Sequence, residues 1–207
     1  MSQRSRAVRL VVKRLIDVVA SGLLLVLLAP VFALVAAAIK LTTPNLPVFY
    51  PWRVIGHEGL PFTGYKFTTM IAGADGQREA LLHRNEMSGP VFKIRHDPRT
   101  TPLGRFLRKY SLNELPQLWS VLKGDMSLVG PRPAFPHELE RYEPWHKRKL
   151  SIKPGITCLW QVGGRNAVSK FDDWVAMDLD YIDRWSLWLD MKILARTASA
   201  VVSGTGS

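Results

Sequence analysis

Charge disappears from the chain between Val18 and Ile39, where the 22 residues VVASGLLLVLLAPVFALVAAAI carry none. That exceeds the roughly 18 apolar residues that suggest a membrane helix. The run is also long for a secretory signal, and it lacks the small-residue cleavage pattern and polar follow-on of one. Pro30 falls near its middle, where it removes one backbone hydrogen bond and bends a helix. Upstream, Arg4, Arg6, Arg9, Lys13 and Arg14 face only Asp17, a local charge of +4. Downstream come Lys40, Arg53 and Lys66, and the remainder of the chain carries +7. Positive flanks mark the cytosolic side of a membrane helix, and here both flanks qualify. A bent segment that enters and leaves one leaflet satisfies charge and proline together, so the pattern predicts a re-entrant hairpin.

Beyond Leu41 the periodicity changes. Pro44 and Pro47 stop the helix, and Val48–Ile55 and Pro61–Phe67 are aromatic and β-branched runs around Gly56-His57-Glu58-Gly59, which predicts a β-hairpin. Ala72–Gly89 reads as helical in its middle, between edge glycines. Pro102 opens a helix with Leu103, Phe106, Leu107 and Tyr110 at helical spacing; Leu115, Leu118, Trp119 and Leu122 form a second stripe, ended by Gly124. Towards the C-terminus, Leu187, Met191, Leu194, Ala198 and Val201 share one helical face. That face and the basic, aromatic segment Glu140–Lys153 suit either the headgroup boundary or ordinary core, whereas Trp174 reads as core. The expectation is a mainly helical α+β fold. Residues 1–41 form the basic flank and re-entrant membrane helix, and 42–207 a cytosolic domain with a small β-hairpin and interfacial amphipathic helices.

Composition narrows the partner. The 207 residues suffice for one domain, and 47% hydrophobic content excludes a disordered chain. The single cysteine, Cys158, excludes an intramolecular disulfide, and the five histidines lack the paired spacing of a zinc site. A net charge of +11 asks for an anionic partner: nucleic acid, a membrane surface or a phosphorylated substrate. No nucleic acid is expected, because the basic residues are interleaved with the apolar segment and no DNA- or RNA-binding motif is present.

Two stretches carry candidate chemistry. In Ser111-Leu112-Asn113-Glu114-Leu115-Pro116-Gln117, Pro116 belongs in the first turn of a helix, which makes Asn113 a candidate N-cap and pairs Ser111 with Glu114 as a capping box. The same polar pair at a helix start, with Arg108 just before it, equally suits a phosphate. Gly130-Pro131-Arg132-Pro133 is either a rigid turn or a device that presents the Arg132 fork to phosphate oxygens.

Tyr65–Met70, Asp97-Pro98-Arg99, Gly104–Arg108, Ser111–Gln117, Lys123–Pro133, Lys153–Thr157 and Gly164-Arg165-Asn166 occur in that order. As an ordered set, covering the chain from about Lys13 to Val201, they resemble the bacterial sugar transferases that are monotopic polyprenyl-phosphate phosphoglycosyl transferases, in the short form without extra N-terminal transmembrane helices. The resemblance implies transfer of sugar-1-phosphate from a UDP-sugar to polyprenyl phosphate with release of UMP. It places the chain on the phospholipid bilayer at the cytoplasmic face of a bacterial inner membrane, at the first membrane step of surface-glycan assembly. In that family an aspartate attacks the sugar-bearing phosphorus, the lipid phosphate then attacks the adduct, and the neighbouring glutamate, here Glu114, holds Mg2+. Lys66, Arg108 and Arg132 match basic positions that would neutralise diphosphate oxygens, and Arg165 would reach the uridine or the diphosphate. Two departures stand out: Asn113 occupies the nucleophile position, and Thr68 replaces an arginine. Asn113 keeps open a rival reading, a membrane-bound homologue or scaffold that binds substrate without turnover.

Overall fold

A computed structural model describes residues 3–163 and 168–204. Helix α1 (Gln3–Leu27) and helix α2 (Ala29–Thr42) meet at a 57° bend. Pro30 lies in the first turn of α2, where a proline is tolerated; further into a continuous helix its ring would collide with the preceding turn, so the break falls at Leu28. Neither arm alone is long and apolar enough to cross a membrane. Their outer faces leave Val8, Val11, Leu15, Val19, Val26, Leu34 and Leu41 exposed.

Strands β1 (Phe49–Ile55) and β2 (Pro61–Phe67) pair antiparallel from Phe49↔Phe67 to Ile55↔Pro61, the hairpin the alternation predicts. The segment expected to be helical within Ala72–Gly89 instead makes short 3-10 turns at Asp75–Gln77 and Glu79–Arg84, none of whose residues is buried. Without an apolar stripe to bury, nothing stabilises a longer helix. Helix α3 (Pro102–Lys109) is capped by Thr101, whose Oγ1 accepts from the Gly104 amide at 2.9 Å. Helix α4 (Gln117–Lys123) ends at Gly124, with φ 102°. Of the two predicted stripes, Leu107 and Leu118 are buried, whereas Phe106 and Trp119 point outwards at about half exposure.

Strand β3 (Ser127–Val129) pairs in parallel with β4 (Gly155–Thr157), across a connection holding helix α5 (Pro136–Leu139). Helices α6 (Leu159–Val162), α7 (Phe171–Asp183) and α8 (Leu187–Ser203) complete the described elements. Trp174 is buried and stacks on Trp160 at 4.1 Å, as expected of a core residue.

Three charges of the N-terminal flank are tied into the fold. Lys13 binds the Asp190 carboxylate at 2.6 Å and the Val129 carbonyl at 3.0 Å. Arg14 donates to the carbonyls of Val121 and Leu122 in the last turn of α4, where helix carbonyls lack i+4 amide partners. The buried Asp17 accepts from the Leu128 amide at 3.0 Å. Because Asp190 is drawn inwards, taking bonds from Tyr181 and Trp185 as well, α8 turns Asp190 and Ile193 to the core. Of the apolar face expected at Leu187, Met191, Leu194, Ala198 and Val201, Met191 and Ala198 are exposed, whereas Leu187, Leu194 and Val201 are half-buried and Leu194 packs against the core. In Glu140–Lys153, Tyr142, His146 and Lys149 are buried while Trp145 stays exposed.

Gly104 sets how closely α3 approaches the sheet: a Cβ there would lie 2.1 Å from the Thr69 carbonyl oxygen. Because backbone cannot yield as a side chain can, Gly104→Ala is expected to lower stability by roughly 1–3 kcal/mol. Thermal unfolding in detergent would show it as a fall of several degrees; an unchanged midpoint would contradict the close contact.

Candidate active site

The α2 arm, β2 and α3 share one apolar cluster of Val35, Ile39, Phe67 and Leu107. Strand alternation then turns Lys66, next to the buried Phe67, to the opposite face of β2. There its ammonium meets Glu114 Oε1 at 2.9 Å, a half-buried ion pair between residues 48 positions apart. Glu114 closes a 3-10 turn, Leu112–Glu114, with half-buried Asn113 at its middle. The turn is entered through Ser111 in the left-handed region, φ 55° and ψ 16°, a conformation costly for a residue with a Cβ and concentrated at functional sites.

The capping readings of this turn do not hold. Pro116, at φ −61°, occupies the cap position of α4, three residues beyond Asn113, and the Ser111 side chain makes no cap hydrogen bond. Lacking an N–H and already near helical φ, Pro116 starts the helix itself, and the polar pair before it is left to other work.

Arg108 approaches from the last turn of α3 and donates from Nε to Thr69 Oγ1 at 3.1 Å. Burial pulls its guanidinium pKa down, opposed by the charges of Asp97 and Glu114. Behind it the buried Asp97 and Arg99 form a two-pronged pair at 2.9 and 2.6 Å. Burial would raise the Asp97 carboxyl, but the Arg99 bonds outweigh it and hold it below its usual value.

Arg132 lies on the loop after β3, and both its terminal nitrogens donate to Glu138, at 3.0 and 3.1 Å. Burial works against its charge, yet Glu138 leaves its pKa raised. Its fork is thus held on one side by a carboxylate, as well as by the rigid prolines around it. Lys66, Glu114 and Asn113 are brought together, Arg108 feels the Glu114 charge, and Arg132 stands apart with its own counter-ion. Arg165 lies outside the described residues. Thr68 Oγ1 donates to the Pro47 carbonyl at 2.6 Å, a local tie at the strand end.

Sequence reasoning missed Trp52, whose ring lies 4.1 Å from the Lys66 ammonium. The signal is the hairpin register: Trp52 pairs with Gly64, which puts it diagonally across from Lys66 on the same face. Among the described residues, no three His, Cys, Asp or Glu side chains converge. One carboxylate with substrate phosphates is nevertheless a usual way to hold magnesium, and Glu114, beside two cations that attract phosphate, fits that donor set.

The Lys66–Glu114 pair, with Arg108 feeling the Glu114 charge, thus lies beside the Asn113 turn and next to the apolar cluster that the α2 arm shares with β2 and α3. The bacterial sugar transferase family model matches residues 8–204, and the chain belongs to that family. Galactosyl transferase CpsE of Streptococcus agalactiae serotype III is 42% identical over 200 residues, which are 96% of this chain but only 44% of that protein. Exopolysaccharide production protein ExoY of Rhizobium meliloti is 42% identical over 199 residues, 94% of this chain and 87% of ExoY. UDP-glucose:undecaprenyl-phosphate glucose-1-phosphate transferase of Caulobacter vibrioides is 41% identical over 198 residues, 92% and 70% of the two chains. The chain thus spans less than half of CpsE and most of ExoY.

Proposed function

We propose that this chain is a phosphoglycosyl transferase that moves sugar-1-phosphate from a UDP-sugar to polyprenyl phosphate, releasing UMP, with Asn113 in the position of the nucleophile. The observation that carries this reading is the Lys66–Glu114 pair beside Asn113 on a strained turn, in a member of the sugar transferase family. Lys66, Arg108 and Arg132 bind and neutralise the diphosphate of the donor. Glu114 holds Mg2+, which when bound shields phosphate charge. With a carboxylate at position 113, its oxygen would bond to the sugar-bearing phosphorus as the bond to the UMP oxygen breaks, and an oxygen of the lipid phosphate would then displace that carboxylate. The Asn113 amide is a far weaker nucleophile for the same step.

The bent helix pair supports insertion as a re-entrant hairpin from the cytoplasmic face of a bacterial inner membrane, with its exposed valines and leucines in the acyl region. Residues 1–41 then form the membrane segment and 42–207 the cytosolic part. Exposed Phe106, Trp119 and Trp188 suit the headgroup boundary. Asn113 itself favours one further reading, a homologue that binds the UDP-sugar without turnover, because a neutral amide oxygen is a poor nucleophile.

Glu114→Gln tests the site. It removes the charge facing Lys66 and the donor for magnesium, so UMP release should fall on the order of a hundredfold and half-maximal magnesium should rise. An unchanged metal titration and unchanged rate would contradict the assignment.

A further inference from the structure

We infer that Trp52 is a positioning residue for the donor diphosphate: with Phe135 it forms an aromatic bridge that fixes Lys66 and Arg132 relative to each other. The inference rests on the reading of these two cations as diphosphate ligands.

The contacts form a continuous series. The Lys66 ammonium sits 4.1 Å from the Trp52 ring, Trp52 meets Phe135 edge-on at 5.7 Å and 64°, and the Arg132 guanidinium carbon is 5.6 Å from the Phe135 ring. Beyond it, Arg132 also lies 6.0 Å from the ring of Trp174. Cations at these distances over an aromatic face are attracted by the ring quadrupole. A paired backbone contact registers the two halves: Ile55 donates to the Ala134 carbonyl at 2.7 Å and Ala134 donates back at 3.4 Å. That tie sets Phe135 opposite Trp52 and the Arg132 turn beside β1.

Gly64 makes the bridge possible. A Cβ at position 64 would stand 2.5 Å from Trp52 Nε1, so any other residue there displaces the indole from its place beside Lys66. The ring is 5% exposed, and its N–H has no hydrogen-bond partner among the described residues. Packing against Gly64 and Phe135 therefore holds it in place, and the face it offers is the one the ammonium uses.

The chemistry explains why such a bridge matters. Lys66 and Arg132 already have carboxylate partners, Glu114 and Glu138, which neutralise them without fixing their separation. A lysine head on a four-carbon stem samples many positions, whereas a diphosphate offers oxygens at one spacing. An aromatic face under the ammonium removes most of those positions before substrate arrives, so less freedom is lost on binding.

The test uses the full chain in detergent or nanodiscs, with UDP as the binding probe and UMP release from a UDP-sugar as the kinetic readout. Trp52→Leu should weaken UDP about tenfold and raise KM for the donor by a similar factor, with kcat nearly unchanged. Trp52→Phe keeps a face and should recover most of the loss, and Gly64→Ala should reproduce Trp52→Leu. Phe135→Leu serves as a second break in the bridge if Trp52→Leu does not fold. Equal losses for Trp52→Phe and Trp52→Leu would reduce the ring to packing and overturn the bridge. Unchanged UDP affinity in Trp52→Leu and Gly64→Ala, with affinity lost in Lys66→Ala, would overturn the bridge alone. Unchanged UDP affinity in Lys66→Ala would overturn the diphosphate site on which it rests.

Discussion

Asn113→Asp is expected to raise UMP release from a UDP-sugar by on the order of a hundredfold or more, the scale on which a missing catalytic group is felt. The two side chains are nearly the same shape, so the strained turn at Ser111 and the Lys66–Glu114 pair should persist. What changes is the attacking atom. A carboxylate oxygen carries charge to donate, and in the acyl phosphate it forms that carboxylate is a competent leaving group when the lipid phosphate attacks phosphorus; the amide provides neither. The new carboxylate would join Glu114 under the same two cations, Lys66 and Arg108, which favours its ionised form. Mass spectrometry of the Asp variant incubated with UDP-sugar and no lipid acceptor should show a phosphosugar adduct on residue 113. Equal rates in the two forms, with no adduct, would remove position 113 from the chemistry.

The second large effect is on stability. Lys149 and Asp178 form an ion pair at 2.7 Å with side-chain exposures of 2% and 1%. Burial pulls the Lys149 pKa down, and Asp178 outweighs it, leaving it raised. The lysine's contribution is therefore present below the unfolded lysine value and is lost as pH rises through the folded one, while burial raises the Asp178 carboxyl, so the pair is also lost at acid pH when that carboxyl protonates. Asp178→Ala leaves the ammonium buried and unpaired, which costs about 3–5 kcal/mol. For a chain of this size that lowers the melting midpoint by roughly 6–20 °C. Replacing both partners, Asp178→Leu with Lys149→Met, should recover most of the loss, because the desolvated charge disappears with its counter-charge. A midpoint within a degree of the parent for Asp178→Ala alone would contradict the burial of the pair.

Asp178 illustrates where the chain is legible as sequence and where it is not. Features set by local chemistry are readable: Pro30 at the bend, the hairpin about Gly56–Gly59, the stop at Gly124 and the core position of Trp174. Features set by distant partners are not. Lys149 reads as one more basic residue in a charged run until Asp178 appears beside it, and the face that holds Met191 reads as either core or headgroup boundary until Lys13 and Tyr181 draw Asp190 inwards. Strands β3 and β4 are three residues each and pair across more than twenty others, too short to carry an alternation of their own.

The site divides the same way. Its member residues are recognisable through the ordered motifs, whereas spacing alone left a helix cap and a phosphate site both open for Asn113 and Glu114. The cap reading failed because Pro116 starts α4 without help. The carboxylate held by Arg132 lies six residues downstream and is found only once α5 turns Glu138 back towards it. Trp52 is invisible to any linear pattern, since its relation to Lys66 exists only across the hairpin.

The most direct measurement follows the phosphate that the account says moves. UDP-sugars carrying radiolabel in the sugar-bearing phosphate would be incubated with undecaprenyl phosphate, magnesium and either this chain or its Asn113→Asp form. The account predicts label in the organic-extractable lipid for at least one sugar, with UMP released in equal amount and far faster in the Asp form. Label confined to the aqueous phase for every sugar in both forms, with no UMP, would contradict it.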